Sequence, residues 1–285
     1  MHVLITGGGG QLAADLHLAF QDKDVTRLRR EELDVTKPEQ VHTAFDRYAP
    51  DVVLNTAAWV RLDECEADPE SAFAVNATAP LCLADACSPN GALLVHFSSD
   101  YVFTGNRTHP YREEDPVGPL STYGASKVAG EMAVRATTDR HLIVRTSALY
   151  GVAGRNTRRG NFVETMLRLG KQGGLVKVVS DQVMRPTYAR DLAETVRQLV
   201  DMGATGTFHV TNGGCCSWYE FACEIFRVAG QHVEVRPISH AEWPMPGRRP
   251  PYSVLARAGL QRLGLPDPRP WPEALEAYVR ERAVA

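Results

Sequence analysis

The sequence predicts an α/β fold: a doubly wound parallel sheet with a smaller, discontinuous lobe in the C-terminal half. Short apolar runs alternate with helix-length stretches through the first 150 residues. A glycine-rich turn, Gly7-Gly8-Gly9-Gly10, follows the first of those runs. After Tyr150 the alternation loosens into glycine-, arginine- and proline-rich connections.

Each element has its own signal. Val3-Leu4-Ile5 reads as the first strand, and the stretch from Leu12 to Leu16 after the glycines has apolar positions at helical spacing. Residues 25–28 read as a second strand. A helix is expected over 38–48, with Val41, Ala44 and Phe45 on one face and Thr36 as its cap. Residues 52–54 and 93–97 give the third and fourth strands, with one helix over about 69–86 between them. A helix over about 123–136 and a fifth strand at 142–144 follow. Helices of this length between strands imply right-handed crossovers and a parallel sheet covered on both faces. In the second half a loop at 151–160 precedes a helix near 162–169, a strand at 176–179, a helix at 191–200 and a strand at 206–210. The tail is expected to hold one helix, about 218–229, and then a proline-rich run at 243–251. Residues 1–150, completed by about 186–213, form the sheet domain; 151–185 and 214–285 form the lobe.

Composition narrows the class of partner. A formal charge of -3 and a pI near 6.3 exclude the basic footprint of a nucleic-acid or membrane-surface protein. Arginines do cluster locally, at Arg27, Arg29 and Arg30 and again at Arg155, Arg158 and Arg159, which suits small anionic ligands. Six cysteines show no paired CxxC spacing, so no zinc site is expected. Met1 opens directly into an apolar run and no segment approaches the ~20 apolar residues of a bilayer span. The expectation is a cytoplasmic protein with reduced thiols.

The turn Gly7 to Gly10 joins a strand to a helix, where a Rossmann sheet binds a dinucleotide. Gly7 permits the tight turn, Gly10 lets backbone approach a pyrophosphate, and Ala13 is small enough for helix–sheet packing. The helix N-terminus adds unpaired N–H groups and a positive dipole end. An acidic residue closing the second strand would favour NAD. Arg27, Arg29 and Arg30 stand there instead, with Asp34 later, so a 2′-phosphate and NADPH are expected, with NADH the lesser choice.

Tyr123 and Lys127 lie one helical turn apart on one face. A free phenol has a pKa near 10, and a neighbouring ammonium favours its phenolate, which suits the tyrosine to proton transfer. Ser99 offers a hydroxyl at the carboxyl end of the fourth strand, where α/β sites form. Other polar and aromatic residues have plainer readings. His96 and His209 read as satisfied core histidines, Trp218, Tyr219 and Phe221 as core, and Cys215-Cys216 as inert. Arg248 and Arg249 read equally as solvated surface or ligand contacts.

The glycine loop, Ser99 and the Tyr123/Lys127 pair resemble the extended short-chain dehydrogenase/reductase superfamily. Longer strings resemble its dTDP-4-dehydrorhamnose reductase family: Asn55-Thr56-Ala57-Ala58-Trp59, Asp63-Glu64-Cys65-Glu66, the run from Ser98 to Gly105, Pro110 to Glu113, Pro119 to Glu131, Asn161-Phe162, Asp181-Gln182 with Arg185-Pro186-Thr187, and Trp218-Tyr219. The resemblance implies reduction by NAD(P)H of a nucleotide-linked 4-keto-6-deoxyhexose at C4. Tyr123 would protonate the oxyanion, Lys127 would hold the nicotinamide ribose and tune the tyrosine, and Ser99 would hydrogen-bond the carbonyl. Gly10, Gln11, Leu12, Asp34, Val35, Ala57, Ala58 and Trp59 would contact cofactor. Ser99 and Asp100 would touch the sugar, with Asn161, Arg185 and Arg248 towards the nucleotide.

Two departures fall where substrate is read. After Arg145-Thr146-Ser147 members commonly carry a tryptophan, whereas this chain has Ala148, and the 154–160 insert is long. Carboxylates that bind magnesium between subunits in some members have no counterpart, so no metal is expected. The lobe is expected to bind the nucleotide sugar, in a monomer or homodimer. Tyr101 after Asp100 stands where a dehydratase has glutamate, which argues against elimination. The alternatives are another sugar-nucleotide reaction, such as epimerisation, and an NADP-binding regulatory subunit like the β subunit of methionine adenosyltransferase.

Overall fold

In the computed structural model, which describes residues 1–156 and 160–284, the chain opens with β1 (His2–Thr6), α1 (Gln11–Ala19), β2 (Asp24–Arg27), α2 (Pro38–Tyr48) and β3 (Val52–Asn55). Two short helices follow, α3 (Leu62–Ala67) and α4 (Pro69–Phe73), then a π-helical turn (Ala74–Thr78) that runs into α5 (Ala79–Cys87). Next come β4 (Leu93–Ser99), α6 (Thr122–Thr137), β5 (His141–Thr146) and the short β6 (Leu149–Tyr150). The second half holds α7 (Phe162–Gln172), β7 (Leu175–Val179), β8 (Val183–Met184), β9 (Thr187–Tyr188), α8 (Ala189–Asp201) and β10 (Gly206–His209). It ends with β11 (Cys216–Ser217), α9 (Trp218–Val228), β12 (Glu234–Ile238), α10 (Ala258–Arg262) and α11 (Trp271–Val284).

Six strands form one parallel sheet in the order β2-β1-β3-β4-β5-β10. Val3, Leu4 and Ile5 are fully buried, as are Leu94 and Val95, because helices cover both faces. On one face α8 sets Leu192, Val196 and Leu199 at helical spacing against α1's Leu12 and Leu16. On the other, α2 and α5 bury Val41, Phe45 and Leu83. The order turns back between β1 and β3, and ligands of open α/β sheets bind at that switch point, beyond the strands' carboxyl ends. Gly7 follows β1 and presses on the β3 loop: with φ +67, a Cβ there would lie 2.7 Å from the Ala57 nitrogen.

A second core joins α7, α9 and α11 to β7 and β12 through Val163, Phe221, Ile225, Leu275 and Tyr278. The tail therefore departs from the sequence reading, which expected one helix there: it holds α9, α10 and α11. It also divides, because Leu260 of α10 packs into the large sheet's core.

Two local corrections have physical causes. Thr36 does not cap α2: Pro38 opens that helix behind Lys37, and the Thr36 hydroxyl donates instead to Asp34 Oδ1 at 2.7 Å. The helix expected over 69–86 is interrupted by the π-turn. Pro80 has no N–H to give the Asn76 carbonyl, and its ring crowds that carbonyl. The freed carbonyl packs where a side chain on Gly130 of α6 would stand.

Candidate active site

Two adjoining cavities open at the switch point. The first, about 460 Å³, is lined by Gly7, Gly10, Arg30, Asp34, Val35 and the Ala57-Ala58-Trp59 run. Its turn is closed by the Gly10 N–H, which donates to the Gly7 carbonyl at 2.9 Å. Asp34 accepts from the Thr36 hydroxyl and, at 3.0 Å, from the Thr36 N–H. Those bonds, with Arg30 at 3.8 Å, hold its carboxyl below the ordinary value. Of the two arginines singled out beyond the second strand, Arg30 lines the cavity and Arg29 does not; Arg61 and Glu64 at the start of α3 line it as well.

The second cavity, about 410 Å³, shares Gly10, Thr56, Ala58 and Val60 with the first. Gln11, Leu12, Ser99, Asp100, Tyr123 and Lys127 line it. β4 delivers Ser99, and α6 delivers Tyr123 and Lys127 together because they are one turn apart. Gly124 allows that approach: a Cβ there would run into the Tyr101 carbonyl.

Burial pushes the Tyr123 phenol well above its usual value; the Ser99 hydroxyl pulls it back, and Lys127 does not bring it down as the sequence reading expected, because burial outweighs it. Lys127 is 1% exposed, and its Nζ has no hydrogen-bond partner among the described residues. Burial brings that ammonium down to about 8, with Glu131 opposing. A buried cation left unpaired costs several kcal/mol, so this cavity fits a ligand that brings acceptor oxygens, such as ribose hydroxyls. The glycine turn fits the same ligand's phosphates, because it leaves no side chain between backbone and cavity.

Asp100 is the hub of one wall of this cavity. Its carboxylate accepts from Ser99 at 3.1 Å, Ser147 at 2.7 Å and Ser253 at 2.5 Å. Burial nevertheless carries its pKa up to about 6. Ser147 and Ser253 were not legible as partners, because they lie 47 and 153 residues away in the chain. Ala148 also lines the cavity, with φ +42. That left-handed backbone is uncommon outside glycine, so the departure noted at this position is conformational as well as chemical.

The remaining candidates lie elsewhere. The Asn161 side chain caps α7 by accepting the Glu164 N–H at 3.0 Å, and its amide donates to Gln11 Oε1 and the Gly151 carbonyl, both at 3.1 Å. Gln11 in turn donates to the Leu149 carbonyl and accepts from the Gly151 N–H, each at 3.1 Å, which ties the glycine turn to the lobe. Arg248 and Arg249 line a third cavity of about 700 Å³ with Tyr101, Phe162, Trp218 and Trp243. Trp218, read as core, thus faces that cavity, whereas Phe221 is fully buried. Arg185 lines none of the three; it sits beside Arg257, and burial followed by that neighbour's charge lowers its pKa.

His209 bonds the Ala256 carbonyl at 3.0 Å and is kept neutral, down to about 3, chiefly by burial. His96 is only half satisfied: Nδ1 meets Asn55 at 3.3 Å, and Nε2 has no partner among the described residues. Arg158 and Arg159 lie outside the described residues. Among the described residues no three His, Cys, Asp or Glu side chains gather as a metal site, and no helix is long and apolar enough to cross a membrane.

Residues 1–284 match the family model described as RmlD substrate binding domain. A dTDP-4-dehydrorhamnose reductase of Streptomyces griseus is 41% identical over 281 residues, covering 95% of this chain and 91% of that protein. A dTDP-4-keto-6-deoxy-D-glucose reductase of Streptomyces niveus is 38% identical over 276 residues, covering 95% and 94%. The structure of dTDP-4-dehydrorhamnose reductase from Bacillus anthracis str. Ames in complex with NADP is similar with a TM-score of 0.94 at 37% identity, covering 98% of this chain and 99% of that one.

Proposed function

The chain belongs to the RmlD substrate binding domain family, and from that premise we infer that it uses NADPH to reduce the C4 ketone of a dTDP-linked 4-keto-6-deoxyhexose, dTDP-4-dehydrorhamnose in the first place, giving dTDP-rhamnose for deoxysugar biosynthesis. One observation carries the reading: Ser99, Tyr123 and Lys127 converge on one cavity, with the lysine's ammonium buried and without a hydrogen-bond partner among the described residues.

The coenzyme would be held by the Gly7–Gly10 turn and the α1 N-terminus at its pyrophosphate, by Arg30 near a 2′-phosphate, and by Lys127 at the nicotinamide ribose. When bound, it supplies the hydride that reaches C4. Tyr123 gives its phenolic proton to the C4 oxygen as negative charge builds there. Ser99 lines the same cavity as the phenol and orients the carbonyl. Lys127, charged in a water-poor cavity, stabilises the phenolate left behind. Asp100 fixes Ser99 and faces the sugar. The third cavity suits the nucleotide, with Phe162, Trp218 and Trp243 for the base and Arg248 and Arg249 for the diphosphate.

Six free cysteines support a reducing, cytoplasmic setting. A monomer or homodimer is the proposed assembly, to be read by sedimentation. The decisive assay is NADPH consumption with dTDP-4-dehydrorhamnose and a panel of other nucleotide-linked keto sugars. Turnover on the first and little on the rest supports the reading. NADPH binding without turnover on any would overturn it in favour of a regulatory subunit.

A further inference from the structure

The helix that carries Tyr123 and Lys127 begins at Thr122, and its first turn presents N–H groups with no preceding turn to accept them. Ser121 satisfies one, accepting the Gly124 N–H at 3.1 Å. A second is satisfied from 56 residues away. The carboxylate of Glu66, near the end of α3, accepts the Thr122 N–H with Oε1 and the Thr122 hydroxyl with Oε2, each at 2.8 Å. Two acceptors on one planar group fix the height and the rotation of the turn. A carboxylate there also meets the positive end of the helix dipole.

Glu66 touches a third element as well. A Cβ on Gly247 would come within 3.3 Å of Glu66 Cγ and Oε1, so that backbone lies against the same side chain. Gly247 adjoins Arg248 and Arg249 on the wall of the third cavity. Arg61 and Glu64, at the other end of α3, line the first cavity. One side chain therefore stands between the coenzyme-side helix, the turn that bears Tyr123 and the loop over the nucleotide-side cavity.

We propose that Glu66 is a positioning residue for the reduction, holding the first turn of α6 so that Tyr123 meets the carbonyl oxygen at hydrogen-bond distance. The proposal rests on the reductase reading above. Tyr123 follows Thr122 directly, and a catalytic group displaced by about 1 Å costs roughly 100-fold in rate. Without Glu66, the Thr122 N–H and hydroxyl turn to water and the first turn frays.

Three proteins test it: wild type, Glu66→Ala and Glu66→Gln, the amide keeping one acceptor for the Thr122 N–H. Glu66→Ala is expected to lower kcat about 10- to 100-fold while the NADPH Kd stays within about twofold. Glu66→Gln should recover most of the loss. Amide exchange at residues 122–124 should quicken at least about tenfold in Glu66→Ala, with exchange in β1 and β4 unchanged. The proposal is overturned if kcat of Glu66→Ala stays within twofold of wild type. It is equally overturned if kcat and NADPH affinity fall together with the melting temperature, or if Glu66→Gln is as impaired as Glu66→Ala. Should wild type consume no NADPH with any keto sugar, the reductase reading fails on its own, and exchange decides the positioning: unaltered protection of 122–124 sinks it.

Discussion

Charge is handled in opposite ways in the two adjoining cavities. In the first, Arg30 keeps 75% of its side chain exposed and Arg61 keeps 42%. In the second, Lys127 is 1% exposed and Asp100 is 3% exposed. Water screens the first set, so each charge there contributes little and is easily replaced. The second set is shielded from bulk solvent, so a charge there is screened little and removing its partner leaves a buried group unpaired. The glycine turn borders both cavities, which lets one coenzyme lie across a forgiving rim and an unforgiving centre.

The contrast is broken most sharply at Tyr123. Tyr123→Phe removes only the transferable proton, and kcat is expected to fall about 10²- to 10⁴-fold with NADPH binding nearly unchanged. Near-normal turnover would show that the buried centre tolerates substitution as the rim does. Lys127 comes next. Its ammonium loses its proton near pH 8, so kcat/KM for the keto sugar should decline above that pH, about tenfold per unit. Lys127→Arg, whose cation stays charged, should abolish that decline. A decline that persists in the arginine variant assigns the limb to another group.

Asp100 gives a smaller effect, on stability. Its folded pKa, about 6, lies above the ordinary 3.8. The stability this gives is fully present below that ordinary value and is lost as pH rises through 6. Between pH 5 and 7.5, wild type should lose on the order of 1 kcal/mol relative to Asp100→Asn, read by urea unfolding of both. Equal pH slopes would mean that the three serines offset the burial of the charge. The smallest effect belongs to the rim. Arg30→Ala should reduce kcat/KM for NADPH by no more than about fivefold and leave NADH unchanged, the difference shrinking in high salt. An equal loss with both coenzymes would remove Arg30 from the 2′-phosphate.

What was legible in the sequence follows the same physics. β1, β3 and β4 are buried on both faces, so they read as plain apolar runs. Tyr123 and Lys127 were legible because a helical repeat brings them together within five residues. α3 and α11 were not, because each has a narrow buried face: Cys65 alone in α3, and Ala274, Leu275 and Tyr278 in α11. The polar supports of the site were hidden for another reason. Ser253 reaches Asp100 and Gln11 reaches Asn161 across 153 and 150 residues, separations that carry no local pattern. Nor does any residue type announce that Arg30 lines the cavity while Arg29 does not.

The π-turn before α5 bears on how this protein tolerates changes in length. Its widened turn aims Asn76, fully buried, at two targets. The side chain holds the Trp59 backbone with bonds of 2.9 and 2.8 Å, and donates to Ser126 of α6 at 3.0 Å. A helix turns about 100° per residue, so losing one residue between Ala74 and Thr78 would restore a regular helix and swing Asn76 away from both. Surface loops accept single-codon insertions and deletions; this helix has a fixed reading length. In a library of one-residue deletions, the 74–78 window should therefore be as intolerant as a tight turn, although it looks like an ordinary stretch of helix.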